Sequence, residues 1–430
     1  MKKIVVTFFV CLLLQVFFSF ISLAAETTPA ATTVSQEELD YLPHMNSDWG
    51  KILLNMRWRY EHVDQDRIND ADAVTIRTRL GYQTPTFFGI TGLVEIENTI
   101  PFNSRTYTSP GVTSNNRAVI ADPRNMEFNR VQLAYTGLSD TTMIFGRQRI
   151  KLDNDRFIGN VGWRQNEQTF DSFTVKNMSI KGLDLYYGYL DRVNRIFGKE
   201  SRPKEHPGWG YYWEMESHIV NIAYTPCTYA KLVGYAYLLE IESSQANSSD
   251  TYGAYLNGKY PIGDVKLNYR AEYATQDDND ESPSIGPSSS FDLDYYHFEL
   301  GAQCDRTKLD LGVGYEVLEG NGGRGFRTPL ATLHAFQGWT DKFLTTPANG
   351  IEDFYAWAGI KLPHNIMLKA VYHRFEAENS SADYGDEFDF LAVWKIDKHF
   401  KLLGKYANFC DEDGLYDDTK KYIVEINFNY

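Results

Sequence analysis

The sequence predicts an all-β protein, a single transmembrane antiparallel β-barrel of about 18 strands with both termini periplasmic. Three observations lead there. From Lys51 onward apolar and polar residues alternate with period two almost everywhere, the mark of strands with one apolar face. Most of these segments have ten to fourteen residues, long enough for a tilted strand to cross a membrane. The connections between them alternate, short after every even-numbered segment and mostly long after the odd-numbered ones. A bacterial outer-membrane barrel has such rims, whereas a soluble sandwich has no reason to alternate and rarely needs so many long strands.

Along the chain, residues 1–25 read as a signal peptide. Lys2 and Lys3 form a positive start, Ile4 to Leu23 is nearly unbroken apolar sequence, and Ser22-Leu23-Ala24 supplies small residues for cleavage. Residues 26–48 are a polar N-terminal segment without clear period, and 49–430 form the barrel. Its strands are expected at 51–63, 71–84, 89–101, 127–137, 141–150, 168–178, 181–191, 214–226 and 229–241. The second half follows at 250–260, 263–275, 291–303, 307–318, 352–362, 365–376, 385–396, 399–409 and 420–430. In the first, Ile52, Leu54, Met56, Trp58 and Tyr60 share one face, and Asn55, Arg57, Arg59 and Glu61 the other. The last sets Tyr422, Val424, Ile426, Phe428 and Tyr430 against Glu425, Asn427 and Asn429, and such barrels commonly close on an aromatic. The stretch 319–351 is too long for a mere connection and is expected to fold inward and narrow the pore.

Composition excludes other classes. The formal net charge is −15, and loss of the signal peptide removes two lysines and no acids, the wrong balance for a nucleic-acid binder. Cys227, Cys304 and Cys410 are too few and too far apart for a disulfide framework, and no Cys/His cluster suggests a metal or cofactor. The nine histidines are scattered and neither GxSxG nor HExxH occurs, so the chain does not read as an enzyme.

In a membrane barrel the apolar face meets lipid and the polar face lines the lumen. That rule sends Arg57, Arg59, Arg77, Arg79 and Arg130 inward, together with Glu61, Glu95, Glu97, Glu272, Glu299, Glu316, Asp389 and Glu425, so the interior is mixed in sign. The stretch FGRQRIKLDNDRFIGNVGWRQ (145–165) adds Arg147, Arg149, Arg156 and Arg164. Arg147 and Arg149 are two apart and so face one way. Arg147 shares the parity of Met143 and Phe145, which leaves either a bulge at Gly146 or a pair standing above the lipid band. Guanidinium groups stay charged and grip carboxylates with two parallel hydrogen bonds, which suits several weak anion sites in series. The acidic runs TQDDNDESP (275–283) and DEDGLYDD (411–418) fall in outer loops as a solvated face. Trp163 and Trp339 are expected to pin folded loops against the wall rather than stack on sugars.

GRQRI (146–150), RFIGNVGWRQNEQTFD (156–171) and FRTPLATLHAFQGWTDKFLTTPANGIEDFYAW (326–357) resemble the alginate-export outer-membrane proteins. The resemblance implies a monomeric eighteen-stranded barrel whose lumenal arginines conduct a polyuronate. The short turns depart from it, since they leave no room for a long periplasmic plug loop. The expected function is therefore an outer-membrane channel for anionic solutes, most specifically a carboxylated polysaccharide or oligosaccharide. A general or small-anion porin is the alternative. The expected partners are that anionic glycan, outer-membrane lipid and lipopolysaccharide, and the barrel assembly machinery through the C-terminal strand.

Overall fold

The computed structural model describes residues 49–201, 208–278 and 291–430. The expected signal peptide and polar segment therefore lie outside the described residues, as does most of the acidic run 275–283. Eighteen strands follow one another: β1 (Lys51–Gln65), β2 (Ala71–Gln83), β3 (Ile90–Pro101), β4 (Asn125–Tyr135), β5 (Thr141–Gln148), β6 (Thr169–Ile180), β7 (Leu183–Asn194), β8 (Tyr212–Cys227) and β9 (Ala230–Leu239). The rest are β10 (Ser249–Ile262), β11 (Val265–Asp277), β12 (Asp292–Cys304), β13 (Leu309–Leu318), β14 (Ile351–Leu362), β15 (Ile366–Glu376), β16 (Asp383–Lys395), β17 (Phe400–Cys410) and β18 (Thr419–Asn429). Every expected strand is present, with ends displaced by at most 3 residues.

Each strand pairs antiparallel with its successor, and β18 returns to β1 with Asn429 opposite Asn55 and Thr419 opposite Gln65. The sheet thus closes on itself and leaves no row of unpaired backbone groups, which a hydrocarbon environment requires. The short turns and both ends of the described chain share one rim, and the long connections share the other.

The alternation seen in the sequence is the alternation of the wall. Leu80, Phe128, Leu133, Phe145, Leu300, Leu311 and Phe354 point outward and are exposed, an apolar band no water-soluble protein would carry at this size. Asn55, Arg59, Glu61, Thr75, Arg77 and Arg79 point inward and are buried. They are buried because the lumen is filled. The β5–β6 connection (149–168) and the β13–β14 connection (319–350) fold into the barrel, as their length suggested for the latter. They bring Phe157, Ile158, Phe326, Leu330 and Phe343 against Tyr235, Tyr237, Tyr295, Phe375 and Phe409 of the wall.

Two local irregularities aim the site. The β3–β4 register slips at Glu95/Ile96, so Asn129 is an extra residue. The bulge turns Arg130 inward although Met126 and Phe128, of the same parity, face out. At Gly146 there is no register slip: Gly146 faces Gln132 and Arg147 faces Val131 in regular order. Its φ is 113°, and a Cβ there would lie 2.3 Å from the Val131 carbonyl oxygen, so the position requires glycine.

Candidate solute path

The first wall of the lumen is built by β1, β2 and β18 around the tip of the 149–168 loop. Arg57 donates to the carbonyls of Trp163 (2.8 Å) and Gly162 (3.0 Å) and to Asn427 (2.9 Å). Arg59 pairs with Glu425 and with Asp122 (3.1 Å) and also reaches the Trp163 carbonyl. In return Arg164 of the loop donates to Glu61 on β1 (3.0 Å) and to Asp341 of the other loop (3.2 Å). Arg156 crosses to β13, where it meets Glu316 (2.8 Å), with its guanidinium 4.7 Å from the Phe336 ring. Each of these arginines stands against a carboxylate.

A second group sits nearer the short-turn rim. Arg79 pairs with Glu97 (2.5 Å) and Glu167 (3.3 Å), Arg149 with Glu167 (2.5 Å), and Arg130 with Glu95 (2.7 Å). Arg77 donates to Asn55. Arg79, Arg130 and Arg149 line one small recess together with Glu95, Leu53, Leu54, Asn55, Asn429 and Tyr430. Arg79 Nη2 is buried and has no hydrogen-bond partner. Burial would push the Glu167 carboxyl up, but Arg149 and Arg79 outweigh it and hold Glu167 well below the usual carboxylate range.

The two loops are one body. Ile158 and Leu330 form a parallel bridge, Gly159 N donates to Leu330 O (2.9 Å), and Thr332 N to Asp155 O (3.0 Å). Trp163 stacks on His334 at 3.3 Å and 9°. Lys405 of β17 donates to His334 Nε2 (2.9 Å), which leaves Nδ1–H for Asp341 Oδ1 (2.7 Å). Lys421 of β18 closes the cluster on Asp341 Oδ2 (2.6 Å). Burial would raise Asp341, yet Lys421, His334 and Arg164 keep it well below its ordinary value. Trp163 and Trp339 thus pack against loop and wall, and Lys405 lies 4.3 Å from the Trp339 ring.

The structure places eight of the nine candidate arginines within the barrel and separates one pair. Arg149 faces the recess, but Arg147 is on the outward side, opposite Val131 and Asp171 in register. The expectation that both face one way fails because β5 ends at Gln148, and strand parity does not extend to Arg149. Arg147 bonds Asp171 (2.6 Å) and the Phe128 carbonyl (3.1 Å). Sequence reasoning missed Asp122, Glu167 and Asp341, the carboxylates that hold these arginines, since loops carry no period. Lys421 was legible from its parity with Glu425.

No protein-family model matches the chain, and no curated protein is significantly similar to it. Solved structures are similar in fold. Pseudomonas aeruginosa OccK8 (OprE) superposes with a TM-score of 0.67 at 14% identity, over 88% of this chain and 98% of that one. Acinetobacter baumannii OccAB3 gives 0.66 at 12% identity over 88% and 99%. Pseudomonas aeruginosa OpdK, solved with vanillate, gives 0.63 at 12% over 88% and 98%. These likenesses establish the fold, a closed eighteen-stranded antiparallel barrel, which with its outward apolar band fits the bacterial outer membrane. They do not extend to the alginate-export family in particular.

Proposed function

We propose that the protein is an outer-membrane channel passing small anionic solutes along the β1–β5 wall. The observation that carries this reading is the recess where Arg79, Arg130 and Arg149 converge, with one guanidinium nitrogen of Arg79 left without a partner. Three glutamates partly neutralise the three arginines, so an anion is met without being trapped. The likeness in fold to a barrel solved with vanillate, a small carboxylate, supports the solute class.

The reading favours small solutes over a polyuronate. A polymer would have to thread past two interlocked loops that occupy the lumen, whereas a small anion needs only the gap along the charged wall. The rim holding the chain ends and short turns faces the periplasm in this reading, and the long loops face outside. The closing strand β18, with Phe428 and Tyr430, is the segment offered to the barrel assembly machinery.

The test is planar-bilayer recording of the refolded protein under a salt gradient. An anion-preferring reversal potential is expected, with Arg130→Gln moving it toward zero. A cation-preferring pore, or one indifferent to that substitution, overturns the reading. Oligouronate added to either side is expected to leave conductance unblocked, and block would restore the polysaccharide.

A further inference from the structure

The geometry points to a second anion site, separate from the recess, formed by Arg324 and Arg327 at the long-loop rim above β11 and β12. It holds an oxyanion or polycarboxylate at the mouth of the barrel.

The two arginines sit on a built turn. Gly320 and Gly325 form an antiparallel bridge, Arg324 N donates to Asn321 Oδ1 (2.9 Å), and Phe326 N to Glu319 O (2.8 Å). Between the arginines Phe326 is fully buried in the lumenal apolar cluster and anchors the turn. Gln276, itself fully buried, grips the main chain of Arg327 from both sides, accepting from its N–H (2.9 Å) and donating to its carbonyl (2.7 Å). The Arg327 side chain donates to Asn247 (3.0 Å), and the Arg324 guanidinium lies 3.8 Å from the ring of Phe291, which faces inward at the start of β12. Both side chains are therefore positioned by neutral groups.

Charge is what this arrangement lacks. Arg57, Arg59, Arg79, Arg130 and Arg149 of the β1–β5 wall each have a carboxylate within 4 Å, but among the described residues no salt bridge involves Arg324 or Arg327. Arg324 Nε and Nη2 and Arg327 Nε are buried without a hydrogen-bond partner. The charge of Arg327 works against that of Arg324, and the carboxylate of Asp278 partly offsets it. Burial pushes Arg324 down to about 10, so it stays charged at neutral pH. Two adjacent cations with unused buried donors are costly unless something fills them, and planar guanidinium forks match the paired oxygens of carboxylates and phosphates.

The test uses citrate as the probe and calorimetry on the full barrel refolded in detergent, so the result does not depend on whether the channel conducts. Wild type is expected to bind citrate, and R324Q/R327Q to bind it about tenfold more weakly or worse. R324K/R327K, which keeps both charges but not the fork, is expected to bind with an affinity between those of wild type and the glutamine pair and guards against a folding defect, with heat-modifiable gel migration confirming the barrel. Unchanged affinity in the glutamine pair, absence of citrate binding in wild type, or a loss confined to Arg130→Gln in the recess each overturns the site. Failure of anion selectivity in the bilayer, with this binding intact, would overturn the proposed function and leave the site standing.

Discussion

The lumen is built in two different ways on its two sides. Along β1–β5 and β18 the inward loops are held by buried ion pairs: Arg59 on Glu425 and Asp122, Arg164 on Glu61, Arg79 and Arg149 on Glu167. Along β7–β12 the same loops are held by rings, with Phe157 packed among Tyr235, Tyr237, Tyr295 and Phe326 at centroid distances of 5.1–6.2 Å. The difference decides where solute passes. Packed rings exclude water at crystal-like density and leave no path. Charge pairs need hydration or further partners, and the recess lies on their side. The two clamps also fail differently, because an ion pair that loses one member leaves a buried charge, whereas a ring that is removed leaves a cavity.

The largest expected effect comes from breaking the charged clamp at its centre. Glu167 is fully buried and accepts from Arg79, Arg149, Asn129 and Asn160. Glu167→Gln keeps the shape and leaves two buried guanidinium groups side by side, a loss of about 3–5 kcal/mol for a broken buried pair. Urea titration of the barrel in lipid vesicles reads that loss, and single channels of the surviving folded protein should be more anion-selective. Equal midpoints for variant and wild type would show that the charged side does not hold the loops.

On the ringed side, Phe157→Ala should cost about 3 kcal/mol by leaving a cavity among four aromatic neighbours. It should expose the 149–168 loop to added protease while leaving the reversal potential where it was. A shift in selectivity as large as that of the Glu167 variant would erase the distinction between the two sides.

Acidification sharpens the comparison at the junction of the loops. Burial, with Lys405 beside it, holds His334 well below its ordinary value, so the folded barrel keeps it neutral. The unfolded chain takes up the proton near pH 6.5, so this contribution is complete above about pH 6.5 and is lost as the pH falls below it. The slope is at most about 1.4 kcal/mol per pH unit. His334→Gln removes the titrating group, so the urea midpoint of wild type should fall relative to the variant between pH 7 and pH 5. Parallel curves would place the proton elsewhere.

How much of this was legible follows from what alternation can and cannot encode. Arg57, Arg59, Arg77 and Arg79 share one face because a paired strand sends every second side chain to the same side. Arg130 is turned in by the bulge at Asn129 and not by simple parity. The inward fold of 319–350 is legible from length alone. Its attachment is not, since Asp341 and Glu167 meet their arginines across up to 177 residues of chain in loops that have no period. Arg324 and Arg327 are not legible for the opposite reason: they lie outside the arginine-rich stretches, and what marks them is that no salt bridge among the described residues involves either.

The smallest expected effect is at Arg147, and it tests whether facing the lumen, rather than carrying charge, is what matters. Arg147 and Arg149 sit two residues apart and both pair with a carboxylate, Asp171 and Glu167 respectively. Only Arg149 borders the recess. The Arg147–Asp171 pair is partly exposed on the outward side, so Arg147→Gln should cost about 0–1 kcal/mol, the ordinary worth of an exposed ion pair. Its reversal potential should match wild type, while Arg149→Gln shifts it toward zero. If the Arg147 variant shifts selectivity as far as the Arg149 variant does, the field at the mouth governs passage and the recess does not.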